Sequence, residues 1–120
     1  MLNLDTHILL HALGGELSRQ EREILQGQEW GISSIVIWEI SKLIQLGRID
    51  IDLDNSHLNR LISGLHVWPI TLDVCQAISS LDFKSDPADE IISATSIVHK
   101  ADLLTRDSKI RKSRVVPLAR

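Results

Sequence analysis

The sequence contains no tyrosine, one phenylalanine and three tryptophans, so Leu, Ile, Val and Ala must supply most of its core. No apolar run approaches the roughly 20 residues that a helix needs to cross a bilayer. The first residues, MLNLD, lack the basic flank and the long apolar stretch of a secretory signal. The composition therefore predicts neither a membrane protein nor a secreted one.

Cysteine is also scarce. The single Cys75 allows no internal disulfide, which favours a reducing cytoplasm as the setting. We expect this residue to lie in the core, since the sequence shows no catalytic partner for a thiol. No repeat or linker interrupts the 120 residues, and 43% hydrophobic and 24% charged residues are ordinary globular values. We therefore expect one domain over residues 1–120.

Positive charge is sparse in most of the chain and concentrated near its end. The net charge is −3, yet seven of the 13 Lys and Arg residues follow position 99, where only two acids oppose them. The seven are Lys100, Arg106, Lys109, Arg111, Lys112, Arg114 and Arg120. This basic end is either a solvated surface or a patch that contacts phosphate groups.

Short apolar runs alternate with helical patterns along the sequence. Strands are predicted at residues 1–4, 30–33, 67–70, 103–105 and 115–118. Side-chain caps are predicted to begin several of the intervening helices, namely Ser18 with Glu21, Ser34, Thr71 and Asp86. This alternation predicts an α/β domain with a mostly parallel sheet.

Acidic residues recur where such a sheet would place a site. Asp5 directly follows the first strand, and Asp107 lies two residues beyond the fourth. The helix that starts near residue 87 must run down the sheet before the fourth strand rises, which puts Asp86 and Asp89 at the same edge. Ligands of parallel sheets bind at this carboxyl edge.

Glu39 is a less obvious acid, because it lies on the apolar stripe of its predicted helix. Its neighbours at helical spacing are Ile35, Val36, Leu43 and Leu46. A carboxylate on an apolar face is costly unless another group compensates its charge. Either Lys42 supplies the compensating positive charge, or Glu39 shares a bound cation with the other acids.

A carboxylate cluster that has no nearby cysteine and no histidine at zinc spacing favours Mg²⁺ or Mn²⁺ as its metal. Such an ion activates water and stabilises the charge of a phosphodiester under attack. His7 and His11 are spaced to chelate a metal but lack a third ligand. The run Asp50, Asp52, Asp54 lacks the glycine and glutamate of a calcium loop. The acids therefore predict phosphodiester hydrolysis.

Four motifs, LNLDTHILL, ISSIVIWEISKL, DPADEIISATS and LLTRD, occur in this order and together resemble the PIN-domain ribonucleases. The resemblance is greatest to the VapC-type toxins of bacterial toxin–antitoxin pairs. It implies a three-layer α/β/α fold with four to five strands and a Mg²⁺- or Mn²⁺-dependent endoribonuclease. It also implies a homodimer and a small VapB-like antitoxin protein whose tail enters the acidic groove.

The resemblance also assigns roles to individual residues. The family's four catalytic and metal-binding acids fall on Asp5, Glu39, Asp89 and Asp107. Asp86 is then the helix cap and the reserve ligand, and Glu90 stands where related members often have arginine. The residues expected to lie beside the RNA substrate are Thr6, Thr105, Arg106, Lys109, Arg111 and Lys112.

Two other functions compete with this hypothesis. A non-catalytic PIN-like module could bind RNA or protein without cleaving it, although all four acids are present. A phospho-accepting receiver domain is also a small parallel α/β fold with clustered Asp. That class needs paired acids early in the chain and a lysine after the last core strand. Here Asp5 has no acidic neighbour, and Arg106 follows the strand.

Overall fold

The computed structural model describes all residues, 1–120, and consists of a four-stranded sheet flanked by seven α-helices. The strands are β1 (Leu2–Leu4), β2 (Trp30–Ser33), β3 (His66–Trp68) and β4 (Asp102–Leu104). The helices are α1 (Thr6–Gly14), α2 (Arg19–Leu25), α3 (Ser34–Gln45), α4 (Ser56–Ser63), α5 (Leu72–Ala77), α6 (Pro87–His99) and α7 (Ser108–Arg111). A 3₁₀ turn at Ile78–Ser80 follows α5. None of these helices has the length and apolar character to cross a membrane.

All four strands are parallel, in the order β3-β2-β1-β4. The chain builds β1, β2 and β3 outward and then crosses back, so that β4 pairs with the free side of β1. Helix α6 makes this crossing and packs on the sheet and against α3 and α5. The predicted three-layer α/β/α fold with a parallel sheet is confirmed. The strand order reverses between β1 and β4, where ligands of such sheets bind.

The core is aliphatic, as the shortage of aromatic residues predicts. Its central cluster comprises 15 buried residues, of which none is aromatic: Leu2, Leu4, Ile8, Leu9, Leu25, Ile32, Val36, Ile40, Leu58, Ile92, Leu103, Leu104, Ile110, Val116 and Ala119. Strand residues of β1, β2 and β4 and helix residues of both layers meet in this cluster. The sheet edge that carries the acids therefore rests on a closely packed base.

Helix caps fix several boundaries where the sequence predicts them. Ser18 and Glu21 form both bonds of a capping box, and Thr71 caps α5. Helix α3 begins one residue earlier than expected, because Ser33 rather than Ser34 accepts a hydrogen bond from the Ile35 N–H. The chain thus turns from β2 into α3 with no intervening loop.

Two further sequence predictions about the fold are wrong. The predicted fifth strand at residues 115–118 is reduced to one bridge, in which the Leu103 N–H donates to the Pro117 carbonyl oxygen at 2.8 Å. Pro117 has no N–H with which to extend a ladder. Cys75 is exposed rather than buried, because α5 turns Val74 toward the core instead.

We expect Gly31→Ala to destabilise the fold by about 1–3 kcal/mol, the usual cost of overpacking a filled site. A Cβ at position 31 would lie only 2.6 Å from the Trp68 ring, which is buried against β2. Urea unfolding measures the change. Gly64→Ala is the matched control, since its Cβ would meet nothing closer than 3.6 Å. Equal stability of the two variants would contradict the close packing at Gly31.

Candidate active site

Asp5 links the first strand to the first helix and is 4% exposed. As the N-cap of α1, its Oδ1 accepts a hydrogen bond from the Thr6 N–H at 2.8 Å. Its Oδ2 accepts a hydrogen bond from the Thr105 hydroxyl at 2.6 Å. Groups that follow β1 and β4 therefore fix both oxygens of this buried carboxylate.

The turn after β4 carries the second acid. The Asp107 N–H donates to the Thr105 hydroxyl oxygen at 3.0 Å, so one hydroxyl contacts both Asp5 and Asp107. Asp107 Oδ1 accepts from the N–H groups of Lys109 and Ile110 and caps α7. These bonds occupy one carboxylate oxygen and leave Oδ2 available to a ligand.

Glu39 projects from α3 toward the same edge and is partly buried. Its Oε1 accepts a hydrogen bond from the Thr6 hydroxyl. Lys42 does not compensate its charge, because the Lys42 ammonium donates to Gln45 on the surface of α3. Thr6 thus joins Asp5 to Glu39, and the alternative of a local Lys42 partner is wrong.

The start of α6 differs from the predicted cap. Asp86 occupies the N-cap position, but its side chain makes no capping hydrogen bond and is exposed. Instead, the Ser85 hydroxyl donates to Asp89 Oδ2 at 2.9 Å and the Ser85 N–H donates to Glu90 Oε2 at 3.2 Å. Because Pro87 has no N–H and these two acids reach back to Ser85, the first turn is held without Asp86.

The predicted acids line a single cleft of about 470 Å³ that has no hydrophobic lining. Its lining residues are Asp5, His7, His11, Glu39, Asp86, Asp89, Arg106 and Asp107. Burial, with the charges of Asp5, Glu39 and Asp107, raises the pKa of Asp89 to about 6 despite the Ser85 hydrogen bond. The carboxylates therefore repel one another, and a cation would relieve that repulsion.

The cleft fits a hydrated hard cation better than a metal enclosed by protein ligands. No three His, Cys, Asp or Glu side chains are close enough together to hold an ion by themselves. Mg²⁺ usually keeps several waters and contacts only one or two carboxylates. The carboxylates that line the cleft offer the oxygen ligands that such an ion prefers, and burial together with their mutual repulsion raises the pKa of Asp89.

Three of the four basic residues predicted to contact RNA have partners within the protein. Arg106 forms an ion pair with Glu21 at 2.7 Å. The Lys109 ammonium donates to the Lys84 carbonyl oxygen, and the Arg111 guanidinium to the Thr105 carbonyl oxygen. Lys112 is exposed.

Two contacts near the site have little signal in the sequence. Glu21 is recognisable only as part of a capping box, yet it is also the partner of Arg106. Ser85 precedes the predicted cap, and nothing in the pattern shows that it contacts Asp89. Each of these side chains has several polar neighbours, so the sequence alone does not determine which contact forms.

Comparison with known proteins places the chain in a family. The family model described as PIN domain matches residues 3–115. The fold is similar to that of a toxin–antitoxin complex from Klebsiella pneumoniae, with a TM-score of 0.71, 21% identity and coverage of 93% of this chain and 91% of that one. A comparison with curated protein sequences finds no significant match.

Two further solved structures have similar folds. VapBC2 from Rickettsia felis, bound to a promoter DNA fragment, matches with a TM-score of 0.74 and 21% identity over 98% of this chain and 97% of that one. DNA-bound VapBC from Salmonella typhimurium matches with a TM-score of 0.64 and 18% identity over 99% and 96% of the two chains. At these identities the likeness shows a shared fold.

The raised pKa of Asp89 predicts how stability depends on pH without a metal. The unfolded aspartate ionises near its ordinary value of about 4, whereas the folded one ionises at about 6. The folded state therefore gains stability as pH falls through 6 toward 4. Asp89→Asn resembles the protonated form, so in EDTA it should melt above the wild type at pH 7.5.

The difference in melting temperature between Asp89→Asn and the wild type should shrink toward pH 4, where the wild-type carboxyl is also protonated in the folded state. Melting curves of both proteins across pH 4–8 measure the effect. Asp52→Asn, at an exposed loop position, controls for the loss of one negative charge. A difference between Asp89→Asn and wild type that is constant with pH would contradict the pKa shift.

Proposed function

Because the chain belongs to the PIN-domain family, we propose that it is a Mg²⁺- or Mn²⁺-dependent endoribonuclease. It would act in the cytoplasm as the toxin of a VapBC-type toxin–antitoxin pair. The observation that carries the proposal is the shared cleft: Asp5, Glu39, Asp89 and Asp107 line it together, at the point where the strand order reverses.

Each acid has a role in this proposal. Asp5, Glu39 and Asp89 would hold the cation, and Asp107 would either ligate it or order the attacking water. Asp86 lines the same cleft and stays the reserve ligand. When bound, the ion would activate water and stabilise the charge on the phosphate.

Two threonines orient the acids. The Thr105 hydroxyl donates to Asp5, and the Thr6 hydroxyl donates to Glu39. Each bond fixes the carboxylate to which it is made, so the oxygens left for a cation need no large rearrangement. We therefore propose that Thr6 and Thr105 act by positioning the acids beside the RNA.

The substrate and the antitoxin would reach the acidic cleft from two adjoining surfaces. Lys109, Arg111 and Lys112 are exposed, and we propose that they contact the phosphates of the RNA as it enters the cleft. A second groove of about 860 Å³ shares four lining residues with the acidic cleft, His7, His11, Glu39 and Asp86. Its apolar lining residues are Leu10, Leu13, Leu43, Ile49 and Ile51. We propose that the tail of the antitoxin protein lies in this groove and from there enters the acidic cleft.

A homodimer is also part of the proposal. Trp38 on α3 and Leu72 on α5 are 53% and 72% exposed. Large apolar side chains on the surface are common singly, but helices α3 and α5 both pack on α6 and so belong to the same helical layer. This layer supports a contact with a second copy of the chain.

The observation that calls for a hydrated ion also fits the alternative of a non-catalytic module that binds RNA or protein. No three side chains of the cleft are already arranged to hold a metal ion directly. A cleft that never binds a metal could still bind a cationic peptide or protein. Metal-dependent cleavage by the purified protein separates the two functions.

Asp5→Asn should abolish RNA cleavage while leaving the fold intact. The change keeps the shape and the oxygen that accepts from the Thr6 N–H, but it removes the charge that would bind the ion. Cleavage of total RNA with Mn²⁺ and the melting temperature are the two measurements. Asp73→Asn, at an exposed position of α5, should cleave normally. Full activity of Asp5→Asn would remove this acid from the proposed site.

Millimolar Mn²⁺ or Mg²⁺ should raise the melting temperature, because an ion that binds only the folded state stabilises it by mass action. The gain is about 2.7 kcal/mol at a hundredfold excess over the dissociation constant. Glu39→Gln should reduce this gain and should melt above the wild type in EDTA. Glu29→Gln, at the opposite end of the sheet, should respond to metal as the wild type does. Melting that is indifferent to metal would favour the non-catalytic module.

A further inference from the structure

Arg106 lies between Thr105 and Asp107 and is the only Lys or Arg among the residues that line the acidic cleft. Its guanidinium makes two hydrogen bonds of 2.7 Å to the carboxylate of Glu21 and none to the acids of the cleft. It also contacts His11 Nε2 at 3.0 Å and donates to the Glu16 carbonyl oxygen at 3.2 Å. Arg106 thus joins the turn after β4 to α1, the α1–α2 loop and α2.

Glu21 is a rigid partner for this arginine. Its side chain is 12% exposed, and its Oε1 also accepts from the Ser18 N–H in the capping box. The hydrogen bonds from Arg106 hold the pKa of Glu21 at about 2, so the carboxylate is ionised at neutral pH. Paired bonds between a guanidinium and a carboxylate fix orientation as well as distance.

A second ion pair, between Arg19 and Glu23 on α2, differs from the Glu21–Arg106 pair in geometry and in exposure. Arg19 and Glu23 contact through one bond of 3.1 Å, and their side chains are 87% and 64% exposed. Such a pair contributes little to stability, because water screens it and both side chains lose freedom. Because this pair links two positions of the same helix and no other part of the fold, the variant Glu23→Gln is a matched control for Glu21→Gln.

The Glu21–Arg106 pair acts on the residues that flank Arg106. The Thr105 hydroxyl holds Asp5 and accepts from the Asp107 N–H, so a shift of this turn would move two of the proposed ligands together. Without Glu21, the guanidinium would also be drawn toward the carboxylates that share its cleft. Glu21 competes with those acids for the guanidinium and holds it by two hydrogen bonds.

We propose that Glu21 and Arg106 are positioning residues, which hold the turn at residues 105–107 in place and keep the guanidinium from pairing with the acids of the cleft. Arg106 therefore does not contact an RNA phosphate. The effect on catalysis rests on the proposed nuclease function. The effect on the turn does not.

Hydrogen exchange tests the turn directly. Glu21→Gln keeps Oε1 for the capping box but weakens the bonds to Arg106. The amides of Asp107, Lys109 and Ile110 should then exchange about tenfold faster, as expected for the loss of a charged hydrogen bond. Arg106→Gln should give the same increase and leaves the capping box untouched. Glu23→Gln should leave these amides unchanged. If these amides exchange at the wild-type rate in both Glu21→Gln and Arg106→Gln, the inference is overturned.

Kinetics test the consequence for the site. Glu21→Gln and Arg106→Gln should lower kcat by similar factors, with KM and its salt dependence unchanged, and the double variant should be no worse than either single one. A raised KM with a weaker salt dependence in Arg106→Gln alone would show an RNA contact and overturn the inference. Should the wild type cleave no RNA, the proposed function fails, and hydrogen exchange still decides the role of the pair.

Discussion

The carboxylate of Asp5 is the group around which the site is organised. It is almost completely buried, and a buried charge is tolerated only when hydrogen bonds replace its water. The Thr6 N–H and the Thr105 hydroxyl provide those bonds from the ends of β1 and β4. The parallel pairing of β1 with β4 brings these two ends together, so the topology of the sheet and the geometry of the site depend on each other.

Crowding of like charges is the second constraint. Asp89 has a raised pKa because burial and three nearby acids oppose its ionisation. The threonines orient individual carboxylates, but they carry no charge and cannot cancel this repulsion. The single arginine that lines the cleft is held by Glu21, on the far side of the turn. The protein thus keeps the acidic cleft negative, which suits a binding site for a cation or a cationic side chain.

The positions of the acids could be predicted from the sequence, whereas their partners could not. Asp5 and Asp107 follow strands, and Glu39 lies on an apolar helical stripe; both patterns are local. The partner of Arg106 lies 85 residues away, and nothing local distinguishes Glu21 from any other capping-box glutamate. Asp86 has every sequence feature of a cap, yet Ser85 pairs with the neighbouring acids instead. In both places several polar side chains lie close together, and the fold decides which of them pair.

The short bridge at the end of the chain also affects the outer strand of the sheet. β4 has one free edge, and exposed edges invite pairing with other chains. Leu103 makes both of its outward hydrogen bonds to the segment at Pro117 and Ala119, so the middle of that edge is already paired. Pro117 offers no N–H from which the ladder could grow. The terminal segment therefore closes the edge against aggregation without adding a strand that would itself need protection.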